Sequence, residues 1–417
     1  MAFQNFSYYV LPLSYTDESA FQKGIEADPA WRPLSRDERC CNYLFDYVSR
    51  IIKSDDACRA YTLQNPKELP VYLFEKEAAL SASPSIEAVS LYLFATGVAF
   101  LEYKISYGNL SPKEIVNFAY YFKGTRRADK KSCERGDKES LYTVSHRLLG
   151  GDGSNARLFF TNESHLKHQA FCFHAIKADY ETDAQRDRLL FLLKRSYTDS
   201  FAYDESSDSG DYDMTYLPYD YMAFGGCQEG FAALCRDTDN ENANYFLNEY
   251  FGKQLCEDYH YLYLILLNQR FSGIKYIAEI ATTDDTRELV EQVSRKIIHL
   301  KTRYSFHVVS DDYIYQNIYS KMYTILDIDK LFLDIEENSD RLSLVQSNEN
   351  AETEKENGNF LMYISFLAVF SALIDLASYL DRMSVTALVS TLVSGVFVLF
   401  ILGYAIVRRL RKKRKKP

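Results

Sequence analysis

Six carboxylates crowd into fourteen residues late in the chain: Asp327, Asp329, Asp334, Glu336, Glu337 and Asp340. Carboxylate oxygens are hard ligands, so such a face suits the sensing of a divalent cation when neighbouring subunits contribute to it. A second cluster is basic. Lys123, Arg126, Arg127, Lys130 and Lys131 lie in KGTRRADKK, and paired arginines beside a glycine suit a phosphate. Gly150-Gly151-Asp152-Gly153 and Gly225-Gly226 would let backbone amides approach an anion, although neither has the spacing of a P-loop or a dinucleotide fingerprint. His165, His168, Cys172 and His174 have spacings a metal uses. Two precede a strand and two point to one side of it, so only neighbouring turns bring the four together, and no metal is assigned. No Ser/His/Asp or Cys/His nucleophile motif is visible, and no enzymatic activity is expected.

The last polar constellation sits in apolar sequence. Ala368, Ser371, Asp375 and Ser378 fall on one helical face of the apolar run Phe360–Leu380, with Arg382 beyond them. An ionisable group inside a membrane span costs ~2.5–3.5 kcal/mol at its centre, so it faces protein or water. In an oligomer, Asp375 carboxylates would ring a cation path. The alternative is a local pair of Asp375 with Arg382.

These groups need elements to hold them. Phe360–Leu380 has 21 residues and Val385–Val407 has 23, the second without any charge. Each reaches the ~20 residues that cross a hydrocarbon core of ~30 Å. Four residues separate them, which permits an antiparallel hairpin. Ala387, Thr391 and Gly395 give the second span a small-residue packing face. The tail from Arg408 to Lys416 carries eight basic side chains, which keeps it cytoplasmic and brings it to anionic lipid. A two-span hairpin returns to its starting side, so both termini are expected in the cytoplasm of a cell whose inner (plasma) membrane holds the protein.

Composition agrees. The chain is 47% hydrophobic, 25% charged and 15% aromatic, which excludes wholesale disorder and fibrous sequence. Without the tail's eight basic groups, 40 of the 48 Lys and Arg face 58 Asp and Glu. An acidic body argues against direct nucleic-acid binding. The eight cysteines form no CxxC pair, as expected of reduced thiols. MAFQNFSYYVLPLSY lacks a basic start and a long apolar run, so no cleaved signal is expected.

Residues 1–230 mix strand and helix signals and read as an α+β or α/β sensor domain. Ser7–Tyr15, Pro70–Phe74, Arg157–Thr161 and Lys167–Ile176 read as strands, and Val89–Ser106 as a hairpin turning at Thr96-Gly97. Ser35–Ile52 and Asp183–Lys194 read as helices, and 202–220 as a loop. Residues 231–358 read as a helical stalk, because neither Pro nor Gly occurs between Gly273 and Gly358. Asn244–Ile280 is one expected helix, bent at Gly273, and Thr286–Tyr304 another, with Asp285 and Glu288 as a capping box. A third helix starts near Asp312. Ile318, Ile325 and Phe332, with Ile314, Ile328, Ile335 and Leu342 offset, give it a 3.5-residue seam suited to contact between subunits. Residues 359–407 are the membrane hairpin, with spans 360–380 and 385–407, and 408–417 the cytoplasmic tail.

A cytoplasmic α/β domain, a long stalk helix and two C-terminal spans with a basic tail resemble the CorA-like magnesium transporter superfamily. The likeness covers residues 240–417. It implies a homopentamer, a pore lined by the first span, and an acidic cation-sensing surface on the stalk, with magnesium as substrate or regulator and no covalent cofactor. That family carries Gly-Met-Asn at the outer end of its first span, where this chain reads Asp-Leu-Ala-Ser-Tyr-Leu-Asp-Arg-Met-Ser from Asp375 to Ser384. The chain is also similar to divergent CorA-like proteins encoded beside type III CRISPR systems. That likeness implies a membrane effector of antiviral defence gated by an anionic nucleotide, for which Lys123, Arg126 and Arg127 are the candidate ligands. A membrane-anchored binding module that conducts nothing is the third reading.

Overall fold

The computed structural model describes residues 3–15, 17–69, 80–123, 141–150, 156–159, 170–198, 200, 213–282, 287–337 and 357–369. Along the chain come β1 (Phe6–Tyr15), α1 (Glu18–Ala27), β2 (Trp31–Pro33), α2 (Asp46–Lys53) and β3 (Cys58–Leu63). The hairpin β4 (Ser85–Phe94) and β5 (Val98–Ser106) is followed by α3 (Pro112–Lys123), α4 (Leu141–Leu148), β6 (Ala156–Leu158) and β7 (Phe171–Lys177). Helix α5 (Asp183–Arg195) leads to β8 (Asp213–Tyr219), β9 (Met222–Cys227) and β10 (Gly230–Cys235). Four helices then follow: α6 (241–282), α7 (Arg287–Tyr304), α8 (Tyr313–Ile325) and α9 (328–337).

The strands form one sheet in the order β2-β3-β4-β5-β1-β7-β10-β9-β8, with β6 also on β1. All pairs are antiparallel except β7 with β10. Because side chains alternate along a strand, β1 feeds two cores. Phe6, Tyr8 and Val10 pack with α2, α6, α8 and α9 on one face. Tyr9, Leu11 and Leu13 pack with α1, α3 and α5 on the other. Each side chain so buried contributes about 1.5–3 kcal/mol before entropy is charged against it. The fold class is α+β.

Several expected elements take a different form. Helix 35–52 shrinks to α2, whose side-chain pattern buries Val48, Ile51 and Ile52. The loop at 202–220 yields β8, an edge strand that tolerates Pro218 because an edge has donors to spare. The boundary at 230 falls inside the β9–β10 hairpin, and the helices after it share the sheet's core. Contacts divide the chain into residues 1–342 and 343–417 instead. Pro70–Phe74 and the Asp285 cap lie outside the described residues.

Helix α6 runs through Gly273, where a side chain would not fit easily: a Cβ would stand 3.3 Å from Leu331 Cβ and 3.7 Å from Ile335 Cδ1 of α9. The glycine admits a neighbouring helix. Helix α8 starts near Asp312 as expected, and Asp312 caps it, its Oδ1 accepting from Ile314 N at 2.8 Å. The stalk helix that should continue from there is broken. Leu326 N donates to Met322 O, Asp327 adopts a left-handed φ of 55°, and Leu331 N donates back to Asp327 O to start α9. The seam is also spent within the chain. Ile314, Ile318, Ile325, Ile328, Phe332 and Ile335 are all buried in its own core, so they are not available for contact between subunits.

In the second unit, residues 357–369 form helix α10. Every one of them is exposed, among them Phe360, Leu361, Met362, Tyr363, Ile364, Phe366 and Leu367. Among the described residues no helix is long and apolar enough to cross a membrane. The rest of the first expected span, 370–380, all of 385–407 and the tail lie outside the described residues.

Candidate functional site: the polar end of the sheet

Helix α3 ends at Lys123, α5 at Arg195, and the two-residue turn Gln228–Glu229 joins β9 to β10 at the same end of the sheet. Lys123 is the last residue of an amphipathic helix, and its stem is carried into the protein: 3% of it is exposed. Its ammonium donates to Arg195 O at 2.5 Å and to Glu229 Oε2 at 3.0 Å, over the Tyr197 ring at 4.9 Å. The Tyr197 hydroxyl in turn donates to Glu229 Oε1. Burial, aided by the Glu229 charge, pushes that phenol above its ordinary pKa.

Three side chains of β8 and α5 extend the cluster. Asp213 is paired with the Arg195 guanidinium, and the buried Lys194 ammonium lies 3.8 Å from it. On the far side of the turn, Arg270 of α6 donates to Gln228 O at 3.0 Å. Gln228 Nε2 donates to Asp327 Oδ2, also at 3.0 Å, and Lys330 Nζ reaches Asp327 Oδ1 at 2.9 Å. A basic residue and an acidic residue expected to serve separate purposes thus meet across one turn. Lys123 holds Glu229, and Asp327 holds Gln228.

Deeper in, His174 of β7 is wholly buried between two hydroxyls, with Ser7 Oγ 2.5 Å from Nδ1 and Ser196 Oγ 2.9 Å from Nε2. Burial, with the Lys123 charge adding to it, lowers its pKa to about 3, so the ring is neutral. One nitrogen then donates and the other accepts, and each serine rotor adapts. Cys172 lies on the same strand, its thiol pushed up to about 12 by burial, which makes it inert as a nucleophile.

The other expected site residues distribute as follows. Asp329, Asp334, Glu336 and Glu337 are exposed on α9, opposite the buried Ile328, Phe332 and Ile335. Glu336 pairs with Lys301 of α7 at 2.9 Å. Ala368 lies on α10 and is exposed. Arg126, Arg127, Asp340, Ser371, Asp375, Ser378, His165 and His168 lie outside the described residues. Among those described, no group of His, Cys, Asp and Glu is placed to hold a metal ion. Gly225 and Gly226 line no anion nest. A Cβ at Gly226 would run into Met322 Sδ, and one at Gly225 would lie 2.7 Å from Leu190 Cγ. They admit α8 and α5 against the strand.

No family model matches the chain, and no curated protein matches it. The reading of the site rests on its own geometry.

Glu229, Gln228, Arg270 and Asp213 were missed from sequence. The signal was weak, since Gln-Glu between MAFGGC and GFAALC looks like any polar turn. Six-residue apolar runs on both sides of it were the available clue to a buried hairpin.

Proposed function

We propose that this chain is a two-span membrane protein whose C-terminal unit, as an oligomer, forms a cation path governed by the α+β domain. The observation that carries the reading is α10. It is thirteen residues of helix, largely apolar, exposed on every side, and continued in sequence to Leu380 by a mostly apolar run with Asp375 as its one charge. A helix apolar all round belongs in lipid or among other helices. Val385–Val407 supplies the second span, and the basic tail sets both termini on the cytoplasmic side of the inner (plasma) membrane.

In a homopentamer, five Asp375 carboxylates would ring the path on the face shared with Ala368, Ser371 and Ser378, and divalent ions, magnesium among them, gain most from such a field. The exposed carboxylates of α9 are then a regulatory cation surface. A second reading, gating by an anionic nucleotide as in an antiviral effector, draws its support from the basic run KGTRRADKK that begins at Lys123.

Reconstitution of the full chain into liposomes tests both. Magnesium or potassium flux that is lost when residues 343–417 are removed supports the channel. Flux that appears only with added nucleotide supports the effector. A correctly inserted protein that passes no ion under either condition leaves only an anchored binding module.

A further inference from the structure

The Gln228–Glu229 turn is clamped from four directions. Glu229 holds the Lys123 ammonium, Gln228 holds the Asp327 carboxylate and accepts from Arg270, and the strands behind it have no slack. A Cβ at Gly230 would lie 2.7 Å from Lys194 O and 2.9 Å from Cys172 O, so the backbone of β10 is pressed on both α5 and β7. On the other strand Gly226 is pressed on Met322 of α8. A turn held this way passes a displacement on; it cannot absorb one.

What it would pass the displacement to is the α8–α9 junction. Asp327 stands at φ 55° between α8 and α9, a left-handed conformation that disfavours residues with a Cβ, although Asp bears it better than most. Were Asp327 to turn right-handed, α8 and α9 would join, and the apolar repeat from Ile314 to Ile335 runs through the break without a change of phase. The broken state is kept by the burial of Ile328, Phe332 and Ile335 and by the Gln228 and Lys330 hydrogen bonds to the Asp327 carboxylate.

We propose that Lys123, Glu229, Gln228 and Asp327 form a conformational relay, in which the ion pair at the end of α3 holds the α8–α9 junction broken. The relay lies wholly within residues 1–342 and does not depend on whether the C-terminal unit spans a membrane. Its output is the freedom of α9, the last described helix before the chain leads to α10.

Hydrogen exchange on the full-length chain tests it. Glu229→Gln keeps the shape of the side chain and removes the negative charge that faces Lys123. Amides of 328–337 should exchange about tenfold faster in it, the loss expected for a hydrogen bond to a charged group passed along the relay. Gln228→Ala should do the same, and the double variant should be no faster than the quicker single one. Unchanged exchange at 328–337 in Glu229→Gln, with β9 and β10 still protected, overturns the relay, as does a double variant in which the two effects multiply. If Glu229→Gln fails to fold, Gln228→Glu sets two carboxylates against each other across the same contact, and protection of 328–337 as in the parent chain overturns the proposal equally.

Discussion

Glu102 Oε2 of β5 lies 2.5 Å from His260 Nε2 of α6, with neither residue more than 2% exposed and the Tyr8 ring stacked on the imidazole at 3.9 Å. His260 is the first residue after two π-helical turns, Leu247–Phe251 and Leu255–Tyr259, so the pair fixes the register at which α6 resumes its ordinary winding. Removing one partner strands the other in an apolar core. His260→Leu should therefore cost about 3–5 kcal/mol, while the double change Glu102→Met with His260→Phe should recover most of it. Chemical denaturation of the three variants is the measurement, and an additive double variant would show that the pair acts only through packing.

His174 predicts a pH dependence with a definite sign. Its pKa is near 3 in the folded chain and ordinary, about 6.5, when unfolded, so the unfolded state gains the proton first. The stability it contributes is complete above pH 6.5 and drains as pH falls through the window down to about 3, at up to ~1.4 kcal/mol per pH unit. His174→Gln keeps polar contact with Ser7 and Ser196 without a titrating group. Its melting temperature should be flatter than the parent's between pH 6.5 and 5.

Two glycines should respond in opposite directions to the same methyl group. Gly24 lies in α1 with nothing within 4 Å of an added Cβ, so Gly24→Ala should stabilise by roughly 0.5–1 kcal/mol through helix propensity. Gly230→Ala drives a methyl into two backbone carbonyls and should cost about 1–3 kcal/mol or more. Thermal melts of the pair, read against the parent, check both.

The basic run should divide into two functions. Lys123→Met leaves Glu229 without its cation and takes a hydrogen bond from Arg195 O, so it should lower stability by about 1–3 kcal/mol. Arg126→Ala with Arg127→Ala should leave the melting temperature alone and weaken an anionic ligand at least about tenfold. Titration with ATP as the probe, alongside melting curves, separates the two. Equal nucleotide affinity in the arginine variant removes those residues from the site.

Asp375→Asn tests the pore. The protein should still insert, because an amide is easier to bury than a carboxylate. Divalent flux should fall further than potassium flux. If instead Asp375 pairs with Arg382, Asp375→Asn and Arg382→Gln should each impair assembly, and the double change should restore part of it. Full divalent flux from an assembled Asp375→Asn oligomer would sink the ring.

Local patterns were readable wherever one residue type decides the geometry. Gly97, at φ 81°, turns the β4–β5 hairpin where Thr96-Gly97 predicts it, and α5 and α8 start where the helical patterns at Asp183 and near Asp312 place them. The aromatic and Val-rich run Ser7–Tyr15 likewise marked β1. What escaped was the identity of partners. A period of 3.5 says that Ile318, Ile325 and Phe332 share a face, and says nothing of whose surface covers it; here the cover is the chain's own sheet and α6. Lys123 was legible as a cation, but its place on the buried side of the last turn of α3 depends on Glu229, more than a hundred residues later. The break at Asp327 was invisible for a related reason. A left-handed residue usually announces itself as Gly or Asn, and here a contact from Gln228 stabilises an Asp.

The place of β1 has a consequence for how the molecule is made. It is the earliest strand in the chain yet lies inside the sheet, flanked by β5 and β7. Translation at ~5–20 residues per second separates Tyr15 from Lys177 by on the order of ten to thirty seconds. Both hydrogen-bonding edges of β1 stay open until β5 is made, and one stays open until β7 follows, while an apolar side chain stands on nearly every position, the profile of a segment that finds wrong partners. Nascent chains halted before residue 98 should need a holding chaperone to stay dispersed, and chains halted beyond 235, with both neighbours of β1 in hand, should not.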